Sequence, residues 1–191
     1  MASTSETAPP TLPIAAYLKT VARRPLHDQI AKLAPLLGTW SGHGRGEYPT
    51  IAPFEYHDHI EFLSTGQPFL LMQQRTFKKN PEVKPMHSEM GFWRMTPGSN
   101  SVSMSISHAM GLAEISEGSL VVEGGNFVFL LESTHLTRIE SASHPYANKI
   151  RRKFTVNANL SDMEYTVEME TENSPMTFHL FGRLSKIPAS L

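Results

Sequence analysis

Nine histidines and no cysteine define the chemistry open to this chain. Without thiols, disulfide frameworks, Cys-ligated zinc, iron–sulfur clusters, thiolate nucleophiles and CxxCH haem attachment are excluded. A transition-metal site must then use His, carboxylates or Met. His57-x-His59 with Glu61 can set two imidazoles and a carboxylate on one strand face, as zinc requires. No third His is placed nearby, and a solvated strand face is the simpler account. Lys149-Ile-Arg-Arg-Lys153 is the compact basic run. It carries too little charge and no interleaved aromatics for a nucleic-acid patch. It fits a charged strand entry, or a cation pairing with a ligand's carboxylates at a barrel rim. There is no Gly-x-Ser-x-Gly nucleophile elbow and no Gly-x-x-x-x-Gly-Lys-Ser/Thr phosphate loop. Gly42, Gly44 and Gly46 alternate, which clears one side of a strand for a bend or a close backbone approach. Ten methionines serve as flexible core filler or as a soft lining around a ligand.

The elements that must position these residues follow from size and pattern. The chain has 191 residues, with 17 Lys plus Arg against 18 Asp plus Glu, a net charge of −1. That length suits one domain, and near-zero charge argues against binding a phosphate backbone. At 40% hydrophobic and 18% charged the composition is that of a soluble globular protein, and no window approaches an apolar membrane span. MASTSETAPPTLP lacks the basic and apolar regions of a secretory signal, so the expected location is the cytoplasm. Residues 1–13, small, polar and Pro-rich, read as a disordered tail, and residues 14–191 as a single domain. Within 14–37, Leu26, Ile30, Leu33 and Leu37 share one helical face, with Pro25 suited to a first turn.

From Gly38 onward the period becomes that of strands. Turn signals recur at 64–68, 78–81, 96–100, 116–118, 123–126, 157–159 and 171–175, with no helical segment between them. About ten antiparallel strands fit, and that many must curl or close to remove their edges. The expected fold is all-β: a closed antiparallel meander barrel of about ten strands, with a short N-terminal helix near one mouth. Alternation assigns the faces. Val102, Met104, Ile106 and His108 point inward, opposite four serines. Tyr165, Val167 and Met169 point inward. Phe54, Tyr56, Ile60 and Phe62 form an apolar face, leaving His57 and His59 on the wet one. Such an interior is either a filled core or a cavity for a large, flat, apolar ligand.

Gly38-Thr-Trp-Ser-Gly-His-Gly44, continuing Arg-Gly-Glu-Tyr-Pro-Thr-Ile51, resembles the signature of the nitrobindins, ferric-haem-binding ten-stranded barrels. Four further segments match in order: Pro85-Met-His-Ser-Glu-Met-Gly-Phe92, Ser107-His-Ala-Met-Gly-Leu-Ala-Glu114, Ile150-Arg-Arg-Lys-Phe154 and Pro175-Met-Thr-Phe-His-Leu180. Together they span roughly residues 33–187. The absence of upstream Cys ligands resembles the stand-alone form rather than the one joined to a THAP zinc finger.

The resemblance implies a noncovalent ferric haem b with His179 as the proximal iron ligand and catalytic residue. It implies haem contacts from Thr50 and Lys153, the latter at a propionate, and a lining that includes Met86, His87, His108 and Met169. It further implies isomerisation of peroxynitrite to nitrate, binding of nitric oxide, and a monomer or weak homodimer without nucleic-acid or membrane partners. Two points stand apart. Relatives often carry Gln where this chain has His108, and a second His there could donate to a distal ligand or act as a sixth iron ligand. Alternation puts Leu180, Gly182 and Leu184 inside and His179 outside with Phe181 and Arg183; a bulge, or a strand starting late after Pro175, would reconcile this with iron ligation. A rival class with the same barrel is a carrier of fatty acid or another apolar ligand, which has no need of His179. A third is a structural barrel with a filled interior.

Overall fold

The computed structural model describes residues 24–79 and 83–188. The tail expected at 1–13, and the part of the helical segment at 14–23, lie outside the described residues. Ten strands follow one another: β1 (Gly38–Tyr48), β2 (Ile51–Ser64), β3 (Leu70–Lys79), β4 (Val83–Met95), β5 (Ser101–His108), β6 (Leu112–Glu123), β7 (Asn126–Arg138), β8 (Ala147–Val156), β9 (Asp162–Thr171) and β10 (Ser174–Ile187). Each pairs antiparallel with its sequence neighbours, and β1 pairs with β10 to close the barrel. Alternating apolar residues can bury only one face of a sheet, and closure gives that face an enclosed interior.

The helix is a 3₁₀ helix over Asp28–Leu36, shorter than the periodicity suggests. Pro35 lies inside it and Ile30 is kinked, so a regular α-helical hydrogen-bond ladder cannot form. Pro25 precedes the N-cap His27 rather than opening the first turn. Ile30, Leu33 and Leu36 are buried. Lys32 Nζ donates to Asn100 Oδ1 (2.7 Å), and Trp40 Nε1 donates to Leu36 O (2.8 Å). The helix thus stops one end of the barrel, where the β2–β3 and β4–β5 turns lie.

Above that stopper the lower barrel is filled. Trp40, Phe62, Trp93, Phe129 and Phe154 are all at most 1% exposed, and Trp93 meets Phe62, Phe129 and Phe154 edge-on. Among the described residues this half holds a packed core, not a ligand chamber. The turn expected at 116–118 is absent, because these residues run through the middle of β6. Gly118 is there because a Cβ would collide with the Leu130 carbonyl of β7. The chain instead reverses at 109–111, where Gly111 takes φ +85°. Gly44 and Gly182 face each other across the β1–β10 seam, and their missing side chains leave room for the rings of Tyr56 and Tyr165.

Candidate functional site

The upper half of the barrel is polar. Tyr56 and Tyr165 bring their hydroxyls to 2.8 Å; Tyr165 donates to Asp58 Oδ2 (2.5 Å), and Gln74 Nε2 donates to the same oxygen (2.8 Å). Burial pushes the Asp58 carboxyl up to about 6 despite these donors. Beside this group Arg152 forks into two carboxylates. Its Nη1 and Nη2 donate to Glu89 Oε1 and Oε2 (3.0 and 3.1 Å), and its Nε and Nη2 donate to Glu114 Oε1 and Oε2 (3.2 and 2.9 Å). All three side chains are at most 6% exposed. Burial raises the Glu114 carboxyl, but the Arg152 charge and hydrogen bonds from His108, Arg152 and Ser116 outweigh it and hold the group at about 2. His108 bridges the two acids, Nε2 to Glu114 Oε2 (3.1 Å) and Nδ1 to Glu89 Oε2 (3.2 Å). Burial alone would lower its pKa, yet the two carboxylates leave it raised.

His179 stands at the open end, and the local backbone explains how. Phe178 pairs with Glu168 and Leu180 with Val167, so His179 is an extra residue in β10, a bulge. The Arg45 guanidinium, on the exposed face of β1, lies over the rings of both Phe178 and Phe181 (6.0 and 5.7 Å). With Phe178 and Phe181 both outside, His179 and Leu180 between them turn inward together. That is the bulge needed to reconcile His179 with the alternation of Leu180, Gly182 and Leu184. The His179 ring meets Tyr48 edge-on (5.4 Å), and its Nδ1 donates to Glu47 O (3.3 Å). Burial lowers its pKa, helped by the charges of His87 and Arg152, and keeps the imidazole neutral.

Most of the expected site residues gather at this mouth. Thr50 is in the β1–β2 turn, two residues beyond Tyr48. Tyr48 donates to Met169 O (3.0 Å), and Met169 packs on the core from the upper end of β9. Met86 and His87 stand together opposite Thr76, where the β3–β4 register shifts. His108 closes β5 at the same end. Lys153 is the exception and a correction. Ile150, Arg152 and Phe154 are buried, so alternation puts Lys153 on the exposed outer face, between Leu130 and Thr166. Arg152 holds the interior cation's place. His57 and His59 are on the outer face as expected; His57 packs on His43 (ring centroids 4.3 Å), and His59 approaches Glu61 (4.0 Å).

Sequence reasoning missed Asp58, Gln74, Glu89, Glu114 and Arg152. The signal was present in β4 and β8, where period-two alternation sets Glu89 with Gly91 and Trp93, and Arg152 with Phe154. Charge made these positions read as surface.

The donor set suits a haem. His179 has its Nδ1 proton committed to a carbonyl, which fixes the tautomer and leaves Nε2 as a lone-pair donor at the mouth. Exposed apolar residues stand at the strand ends and turns of this same end: Ile51, Val83, Met86, Met110 and Ile139. Such a cluster is what a flat apolar ligand would cover.

The model of the THAP4-like, heme-binding beta-barrel domain matches residues 29–186. A peroxynitrite isomerase of Nocardia farcinica is 40% identical over 84% of this chain and 92% of its own. The peroxynitrite isomerase THAP4 of Rattus norvegicus is 35% identical over 93% of this chain and 31% of its own length. The crystal structure of Rv2717c from M. tuberculosis superposes with a TM-score of 0.78 at 30% identity, covering 85% of this chain and 99% of that one.

Proposed function

The chain belongs to the family of THAP4-like haem-binding β-barrel domains, and from that premise we propose that it holds a ferric haem b noncovalently at the His179 mouth and isomerises peroxynitrite to nitrate. The observation that carries this reading is the bulge that turns His179 inward with Nδ1 bonded to Glu47 O and Nε2 free. When bound, the haem supplies a Lewis-acidic iron that lowers the cost of breaking the peroxynitrite O–O bond.

The protein's own residues do the rest. His179 would hold the haem iron through Nε2, and the Glu47 carbonyl orients its ring. Tyr48 braces that ring from the side while its hydroxyl ties β1 to β9. Met169, Met86 and the exposed apolar residues of the rim would cover a bound haem and keep water from the reacting centre. Thr50, in the β1–β2 turn, offers a hydroxyl to the haem edge. His87 offers its Nδ1–H to an anionic ligand, while Glu89 and Glu114 hold both nitrogens of the His108 ring behind it. Nitric oxide is small enough to use the same pocket. The packed lower barrel favours this reading over a fatty-acid carrier, since an acyl chain finds no chamber among the described residues.

The test is titration of ferric haem into wild-type and His179→Ala protein. We expect a saturable Soret band that is lost or shifted in the variant, together with loss of peroxynitrite isomerisation. Isomerisation retained by haem-free protein would overturn the assignment.

A further inference from the structure

Three ligand atoms converge beside the mouth without any need of His179. His87 Nε2 lies 3.4 Å from Glu89 Oε2 and 3.4 Å from His108 Nδ1, and His108 Nδ1 lies 3.2 Å from Glu89 Oε2. Among the described residues this is the one group of three or more metal-ligating side chains whose donor atoms come this close. Bonds of about 2.0–2.1 Å at tetrahedral angles separate ligand atoms by about 3.3–3.4 Å, whereas right angles at the same length give about 3.0 Å. The triangle therefore has the dimensions of one face of a tetrahedral zinc site. Two imidazoles and a carboxylate suit zinc, and they are a poor set for magnesium or calcium, which take oxygen.

The surroundings are those of a held ligand set. His108 Nε2 faces Glu114 Oε2 at 3.1 Å, the carboxylate–imidazole pairing that would keep the Nε2 proton and aim Nδ1 at a metal in the centre. Arg152 grips Glu89 through both oxygens and limits its rotation. His108 Nδ1 and Glu89 Oε2 face each other at 3.2 Å, and zinc would take the place of the proton held between them. Arg152 offsets one of the two buried carboxylates, and whatever cation sits between His108 and Glu89, proton or metal, offsets the other. Glu89 and His108 are 4% and 5% exposed, while His87 is 29% exposed and connects the group to solvent, from which a water could complete the set.

We propose that His87, Glu89 and His108 form a second metal site, a tetrahedral zinc site with one open position, at the mouth that also carries His179. The site stands on its own geometry and is independent of the haem assignment.

The test uses the haem-loaded full-length chain, cleared with a chelator and dialysed against micromolar Zn²⁺, with metals counted by elemental analysis. We expect one zinc per chain besides iron, and at least a tenfold weaker zinc affinity in His87→Ala. His57→Ala, on the outer face, should keep its zinc. The proposal is overturned if wild type takes up no zinc, if His87→Ala binds as tightly, or if His57→Ala loses the metal. Should His87→Ala fail to fold, the wild-type count and the His57→Ala result still decide the matter. A negative result leaves the Soret band and its dependence on His179 untouched, so failure here is separable from failure of the haem reading.

Discussion

Neighbouring basic residues in β8 have opposite tasks, and one position along the strand decides which. Arg152 is enclosed by Glu89 and Glu114, and Lys153 points to solvent. A buried carboxylate that loses its cation keeps the full penalty of desolvation. Arg152→Met is therefore expected to lower stability by about 3–5 kcal/mol. Lys153→Met, a surface change, is expected to move it by less than about 0.5 kcal/mol. Urea denaturation of the two variants checks this, and equal effects would remove the case for a structural Arg152. The same contrast shows what was legible in residues alone. The inward direction of His108 and Met169 followed from clean alternation with apolar neighbours. Arg152 and Glu89 obey the same alternation, but their charge argued for the surface, and nothing local in sequence shows that each is the other's partner across 63 positions.

At the scale of elements, two of the barrel's register shifts set expected site residues at the mouth. One sets Met86 and His87 together opposite Thr76; the other inserts His179 into β10. Bulges re-aim side chains that a regular ladder would hold elsewhere. The strand count, the meander and most turns were readable because turn residues and period-two runs are local signals. Bulge positions were not, since they depend on the partner strand's register. The turn expected at 116–118 failed for a related reason, because Gly118 answers to a carbonyl of β7. Glycines at the seam give a direct test. A Cβ on Gly182 would run into the Tyr165 ring, so Gly182→Ala should cost about 1–3 kcal/mol. Adding Tyr165→Ala relieves that clash, so the double variant should lose less than the sum of the single losses. Strict additivity in thermal or chemical denaturation would show that the glycine does not serve the ring.

The whole barrel encloses ionisable groups whose effects on stability oppose each other with pH. Asp58 is raised from 3.8 to about 6 by burial. Its favourable contribution is complete below about 3.8 and is lost as pH rises through about 6, because the folded state prefers the protonated form. Glu114, lowered from 4.5 to about 2, does the reverse: its contribution is present above 4.5 and is lost as pH falls through about 2. Asp58→Asn should therefore gain relative to wild type between pH 4 and pH 7, by up to about 3 kcal/mol. Unfolding free energies across that range check it, and a constant offset between the two proteins would contradict the assignment. The closure of the barrel carries one last consequence. His179 lies on β10 and the carbonyl that orients it lies on β1, so the proposed iron ligand straddles the seam that closes the barrel. The oriented imidazole therefore exists only once β10 has paired with β1. An open barrel would offer the proposed haem no oriented nitrogen, so closure of the sheet would itself gate the loading of iron.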